Sequence, residues 1–168
     1  TGTLNVLRAA LRVGVRKVLL ISSDKAVAAA NCYGVSKAMA EQLVVANNAV
    51  SYPRGMRSSV VRYGNVLGSR GSVLVLWRRL AAEGKPLPLS DPAMTRFWVT
   101  LPQAVEYVLA ALAEMRGGEI FVPSLPAAPL TRLAEAVIET PAYVVTGLRP
   151  GGEKLHEELL SATEARRT

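Results

Sequence analysis

Lys17-Val18-Leu19-Leu20-Ile21-Ser22 is an almost unbroken apolar run of strand length, and it decides the fold. A strand with one wet face would alternate apolar and polar residues; an unbroken run fits a strand covered on both faces, as in a parallel sheet flanked by helices. Upstream, Leu4, Leu7 and Leu11 recur at i, i+3 and i+7, a helical stripe, with Gly14 placed to end the helix. Downstream, a loop over 23–31 leads into a helix over about 32–48, a second strand over 57–63 and a glycine-punctuated loop over 64–71. Val73, Leu76, Trp77 and Leu80 mark another amphipathic helix, and residues 86–90, with two prolines, suit only an edge strand. Thr100, Pro102 and Gln103 form a good helix start, predicting a helix to about Met115 that stops at Gly117-Gly118. A strand over 119–122, a helix over 130–139 and a strand over 142–146 complete the reading. Strands alternating with helices predict the α/β class with a parallel sheet. The shorter elements of the second half predict a sheet domain over 1–70 and a smaller α/β lobe over 71–168, with some elements returning to the sheet.

Composition narrows the function. A chain of 168 residues allows one domain, or one and a part. It is half hydrophobic and one-fifth charged, the make-up of a globular chain. No apolar run approaches the ~18 residues of a membrane span. One cysteine, Cys32, excludes an internal disulfide, and with a single histidine, His156, no Cys/His metal centre is expected. Twenty Lys and Arg against thirteen Asp and Glu leave a net charge of +7, which suits an anionic partner. The basic residues form no block of five and are not interleaved with aromatics, so a small anion such as a nucleoside diphosphate fits better than nucleic acid. The chain opens on Thr1 in a helical pattern, without Met and without a signal-peptide layout, so we expect a piece of a longer cytoplasmic protein.

The chemistry concentrates after the first strand. Tyr33 and Lys37 stand at i and i+4, on one face of the expected helix. A free phenol ionises only near pH ~10, and a cation held beside it favours the phenolate. Ser22-Ser23-Asp24-Lys25 ends the buried strand, where open α/β sheets form their ligand crevice. That places Ser23, Asp24 and Lys25 at the same sheet edge as Tyr33 and Lys37.

A strand ending in Ser before a Tyr-x-x-x-Lys helix resembles the extended short-chain dehydrogenase/reductase superfamily. Asp24-Lys25-Ala26, Arg62-Tyr63-Gly64-Asn65-Val66-Leu67-Gly68-Ser69-Arg70-Gly71-Ser72, Met94-Thr95-Arg96-Phe97-Trp98, Gly118–Pro123 and Arg149-Pro150-Gly151-Gly152-Glu153-Lys154-Leu155-His156-Glu157-Glu158 follow in the order of UDP-N-acetylglucosamine 4,6-dehydratases, the C5-inverting kind. The resemblance implies a partial Rossmann-like, doubly wound parallel sheet without its N-terminal βαβ units. It also implies a lyase of nucleotide-sugar and polysaccharide biosynthesis. In that family a hydride leaves C4 of the hexose for NADP (or NAD), water is lost across C5–C6, and the hydride returns to C6. Carried over, Tyr33 is the base at the C4 hydroxyl, Lys37 supports it and holds the cofactor ribose, and Ser23 bonds the C4 oxygen. Lys25 takes the C5 proton, and Asp24 protonates the departing C6 hydroxyl. Ile21, Ser22, Tyr33, Lys37 and Val66 would touch the cofactor. Asn65, Arg70, Arg96, Arg149 and Glu153 would bind the UDP-sugar, and the complete protein would be a homo-oligomer.

Departures accompany the match. Ala28-Ala29-Ala30 stands where the family commonly has Asn-Pro, an extra glycine shifts the register before Glu153, and no Gly-x-x-Gly-x-x-Gly turn follows a strand. We therefore expect a chain that is inactive alone. The alternatives are a nucleotide-sugar 4-epimerase, which shares Tyr-x-x-x-Lys, or a non-catalytic sugar-nucleotide-binding module.

Overall fold

The computed structural model describes residues 2–168, which divide into two compact units. Of the described residues, the first unit comprises 2–63, 102–124 and 158–168, and the second 64–101 and 125–157.

The first unit is an α/β layer. Its elements are α1 (Gly2–Arg12), β1 (Lys17–Ile21), α2 (Cys32–Ser51), β2 (Arg57–Val61), most of α4 (Leu101–Glu114) and β6 (Ile120–Phe121). The sheet order is β1-β2-β6 and every pairing is parallel, with Lys17 opposite Arg57 and Val60 opposite Ile120. Helix α1 ends as its leucine stripe and glycine imply: Gly14 adopts φ 76° and donates to Leu11 O. Asn31 caps α2 by accepting from Gly34 N at 2.9 Å. Leu7, Val44 and Val60 form the buried centre of the layer. At the far edge Lys17 Nζ donates to the carbonyls of Leu112 and Ala113, placing a cation on the negative end of α4.

A charged network runs through this layer. Arg62, just past β2, is paired with Glu41 of α2 at 2.6 Å, each side chain only 3% exposed. Ser22, just past β1, donates its hydroxyl to the same carboxylate. Arg62 also reaches Leu159 O and Glu164, tying the C-terminal segment to the strand ends. Burial works to lower the Arg62 guanidinium, but the bonds to Glu41 and Glu164 outweigh it and hold its pKa above the ordinary value.

The second unit contains β3 (Asn65–Val66), α3 (Val73–Ala82), β4 (Leu87–Leu89), β5 (Thr95–Val99), β7 (Ala127–Pro129), α5 (Leu130–Glu135) and β8 (Tyr143–Val145). One sheet has the order β3-β5-β7, and β4 pairs with β8. Trp77, Leu87, Leu89, Met94, Leu130 and Ala134 make its core, and the Trp77 indole donates to Pro88 O.

Here the structure departs from expectation in four places. Residues 95–99, read only as a motif, are a strand, and it is the centre of its sheet. Residues 65–66, taken as loop, also pair as a strand, and β5–β7 is antiparallel where parallel pairing was expected. The helix over 130–139 is shorter, ending at Glu135.

Two predictions follow from the network. Removing one partner of a buried ion pair strands the other charge, so Glu41→Gln should cost about 3 kcal/mol in urea unfolding of the chain. An unchanged midpoint would show that Arg62 is satisfied without Glu41. Burial pushes the Glu164 carboxyl up, but the bonds from Arg62 and Ser161 hold it at about 2, below its usual 4.5. A depressed carboxyl pKa stabilises the fold above 4.5 and ceases to do so as pH falls toward 2. Acid titration should therefore loosen the C-terminal segment in that window, read as rising amide exchange around Leu159, and Glu164→Gln should loosen it already at neutral pH.

Candidate active site and anion cavity

The carboxyl end of β1 carries the reactive side chains of the first unit. Beyond Ile21 the chain turns through a short 3-10 segment, Asp24–Ala26, with Ser23 at its head accepting from Lys25 N at 3.3 Å. Asp24 is fully buried. Its Oδ1 accepts from the Ser23 hydroxyl at 2.8 Å and from Lys25 Nζ at 2.9 Å, while its Oδ2 has no partner among the described residues. Asp24 N–H donates to Tyr63 O, fastening the turn to the end of β2. Lys25 keeps 29% of its side chain exposed, so the ion pair has one wet and one dry member.

Helix α2 delivers the second pair. Tyr33 is 53% exposed, and Lys37 Nζ stands 5.9 Å from its ring centre while donating to Ile21 O at 3.1 Å. The i, i+4 spacing thus gives the common face expected of it. Burial and, secondarily, the nearby Tyr33 raise the pKa of the Tyr63 phenol. Ser22 turns its hydroxyl inward to Glu41 and offers a ligand only its backbone.

The approach of turn and helix depends on Gly34. A Cβ there would collide with the backbone oxygen of Lys25 and press on Ala29. Ala28 meanwhile sits at φ 43°, the left-handed region that L-residues other than Asn, Asp and Gly seldom adopt. Ala28 opens the Ala28-Ala29-Ala30 stretch that stands where the resembling family commonly has Asn-Pro. The turn bearing Asp24 and Lys25 is therefore packed against α2 at one end and strained at the other.

In the second unit a cavity of about 550 Å³ gathers Asn65, Val66, Arg70, Arg96, Arg149 and Glu153. Arg70 is exposed and makes no hydrogen bond or ion pair among the described residues. Arg96 is buried and spends its guanidinium on the carbonyls of Thr95, Lys154 and Leu155, which makes it a brace for the 154–155 segment. Arg149 and Glu153 hold each other at 2.6 Å. Burial pushes the Glu153 carboxyl up, but bonds from Arg149 and Ser90 hold it at about 2, so it is ionised throughout the neutral range. His156 bonds the Thr95 hydroxyl at 2.8 Å and lies outside the cavity lining. No group of His, Cys, Asp and Glu suited to a metal ion occurs among the described residues. Nor is any described helix long and apolar enough to cross a membrane.

These side chains were named from sequence; others were not. Glu41, whose carboxylate anchors Ser22 and Arg62, gives no local signal. Trp98 and Ser72 line the cavity with buried polar atoms that have no hydrogen-bond partner among the described residues.

The family model for "Polysaccharide biosynthesis protein" matches residues 1–168. The chain belongs to that family. It is 42% identical over 168 residues to a UDP-N-acetylglucosamine 4,6-dehydratase (inverting) of Campylobacter jejuni, covering 99% of this chain and 50% of that protein. It is 41% identical over 167 residues to a UDP-glucose 4-epimerase of Rickettsia typhi, covering 97% of this chain and 49% of that one. The X-ray structure of Pen from Bacillus thuringiensis superimposes with a TM-score of 0.92 at 35% identity, covering 98% of this chain and 53% of that one. The chain thus spans about half the length of the curated relatives it matches, and the resemblance read from its motifs extends over its whole length.

The strained turn yields a paired prediction. Gly34→Ala should destabilise the chain by about 1–3 kcal/mol, the usual cost of overpacking against backbone. Ala28→Asn should stabilise it by about 0.5–1 kcal/mol by suiting the left-handed conformation. Thermal unfolding of both variants checks this, and a stabilised Gly34→Ala would mean that the turn is free to move.

Proposed function

We propose that this chain is the catalytic and substrate-binding part of a UDP-N-acetylglucosamine 4,6-dehydratase, a cytoplasmic lyase acting with NADP or NAD. The observation that carries the reading is the Asp24–Lys25 pair: a buried carboxylate with one oxygen bound to a lysine ammonium and the other unpaired.

Elimination of water across C5–C6 needs a base for the C5 proton and an acid for the C6 oxygen. As an ion pair, Asp24 and Lys25 are in the opposite states. One proton passed along their 2.9 Å hydrogen bond gives a carboxylic acid and a neutral amine, which is the required couple. The wet amine can then take the C5 proton, while the dry carboxyl gives the proton it has received to the departing hydroxyl. Tyr33, as a phenolate beside the Lys37 ammonium, accepts the proton of the C4 hydroxyl, and Ser23 supplies a hydroxyl for the C4 oxygen.

The residues present fit the nicotinamide-ribose end of the cofactor, since Tyr33 and Lys37 stand together at the open carboxyl end of β1. When bound, the nicotinamide would take the hydride from C4 and return it to C6. No glycine-rich turn in this chain suits the pyrophosphate, whose usual partner is a helix N-terminus behind such a turn. In the second unit, Arg70, Asn65, Arg149 and Glu153 offer the fork and hydrogen-bond chemistry suited to a diphosphate and ribose.

The rival reading, a 4-epimerase, draws on the Rickettsia relative, but an epimerase has no need of an adjacent acid and base. Calorimetry should show UDP binding to this chain, and NADP and NAD binding weaker than about 1 mM. Absence of UDP binding would falsify the reading of the cavity. Joined to the corresponding first half of the Campylobacter relative, the chain should convert UDP-N-acetylglucosamine to a product lighter by one water. A product of unchanged mass would decide for the epimerase. In that joined protein Lys25→Ala should abolish the product while leaving UDP affinity unchanged.

A further inference from the structure

The cavity of the second unit contains a feature that the proposed chemistry leaves unused. The indole Nε1 of Trp98 and the hydroxyl of Ser72 are both buried without a hydrogen-bond partner among the described residues, and both residues line the cavity wall. An indole N–H can only donate. A buried donor left unmet costs roughly 1–3 kcal/mol. The second tryptophan on the wall, Trp77, shows the ordinary solution, with its N–H on Pro88 O at 3.0 Å.

Their placement indicates what would satisfy them. Trp98 is the register partner of Asn65 across β3 and β5, and both reach the cavity. Ser72 heads α3 but does not cap it, so its hydroxyl is not occupied by the helix it precedes. The free guanidinium of Arg70 lies two residues before it. A helix start, an uncommitted hydroxyl and a free arginine together favour an oxygen-rich anion.

We propose that Trp98 and Ser72 are specificity-determining donors to acceptor oxygens of a nucleoside diphosphate held in this cavity, an inference that rests on the nucleotide reading above. Both atoms are covered in this structure, so a ligand that meets them displaces part of the wall, and each donor it meets offsets part of that cost.

Calorimetry and thermal unfolding of this chain test the proposal with UDP, uridine and inorganic pyrophosphate as probes. Trp98→Phe keeps the ring and removes the N–H; it should weaken UDP binding about tenfold while leaving the free protein as stable or more so, since an unmet donor has gone. Ser72→Ala should weaken UDP binding in the same direction. Trp77→Phe, which strands Pro88 O, should instead lower the melting temperature. A loss shared by uridine assigns the contact to nucleobase carbonyls, and one shared by pyrophosphate to phosphate oxygens. UDP affinity within twofold of the parent in both Trp98→Phe and Ser72→Ala overturns the proposal and leaves the nucleotide reading intact. Failure of UDP to bind the parent chain overturns both.

Discussion

One buried ion pair holds the reactive end of the first unit together. Arg62 follows β2, Glu41 lies on the inner face of α2, and neither has appreciable contact with water. Burying two charges costs several kcal/mol of hydration, which geometry and extra hydrogen bonds must recover. Here they do: Glu41 accepts from Arg62 at both oxygens and from Ser22, and Arg62 is further met by Leu159 O and Glu164. A hydrophobic pair of equal volume would pack as well but would not fix the ends of β1 and β2 and the C-terminal segment at one point. Such a pair fixes position more than it adds stability.

Position matters because the residues that follow those strand ends are the ones to which the proposed chemistry is assigned. Ser22 leads directly into Ser23, Asp24 and Lys25, and Arg62 into Tyr63, whose carbonyl receives the Asp24 N–H. The turn is thus pinned on the strand side through backbone bonds and on the helix side through Gly34. With little freedom left, the remaining strain gathers at Ala28, the turn residue whose backbone is least suited to its side chain. A turn held this firmly keeps the Asp24 carboxyl dry while Lys25 stays partly wet, and that asymmetry is what the proposed proton exchange uses.

Much of this was legible in the sequence because it is local. An apolar run announces β1, a leucine stripe closed by Gly14 announces α1, and the i, i+4 spacing alone predicts that Lys37 and Tyr33 share a face. The Arg62–Glu41 pair was not legible, since its partners are separated by 21 residues and meet only when strand and helix pack. Strand β5 was hidden for a related reason. Thr95-Arg96-Phe97-Trp98-Val99 carries a charge where a core residue would stand, and the burial of Arg96 makes sense only once the carbonyls of Thr95, Lys154 and Leu155 are seen to receive it. The same bonds make Arg96 a brace for the 154–155 segment. Long-range satisfaction of a buried charge is invisible to periodicity, and both features escaped the sequence for that reason.

The choice between dehydration and epimerisation comes down to what the turn after β1 must do. Both reactions begin by removing hydrogen from C4, and Tyr33 with Lys37 suffices for that step in either. They diverge at the C4 ketone, whose neighbouring C5 proton is acidified. An epimerase protects that proton and lets the sugar turn over; a dehydratase places a base beside it and an acid at C6. A solvated loop would serve the first purpose. The turn found here instead buries a carboxylate completely and hydrogen-bonds it to an amine on the next residue, leaving one oxygen unmet. Sequence identity near 40% to proteins of both names does not discriminate between them. The proposed dehydration rests instead on the buried Asp24 carboxylate, whose burial has a physical cost that an epimerase would gain nothing by carrying.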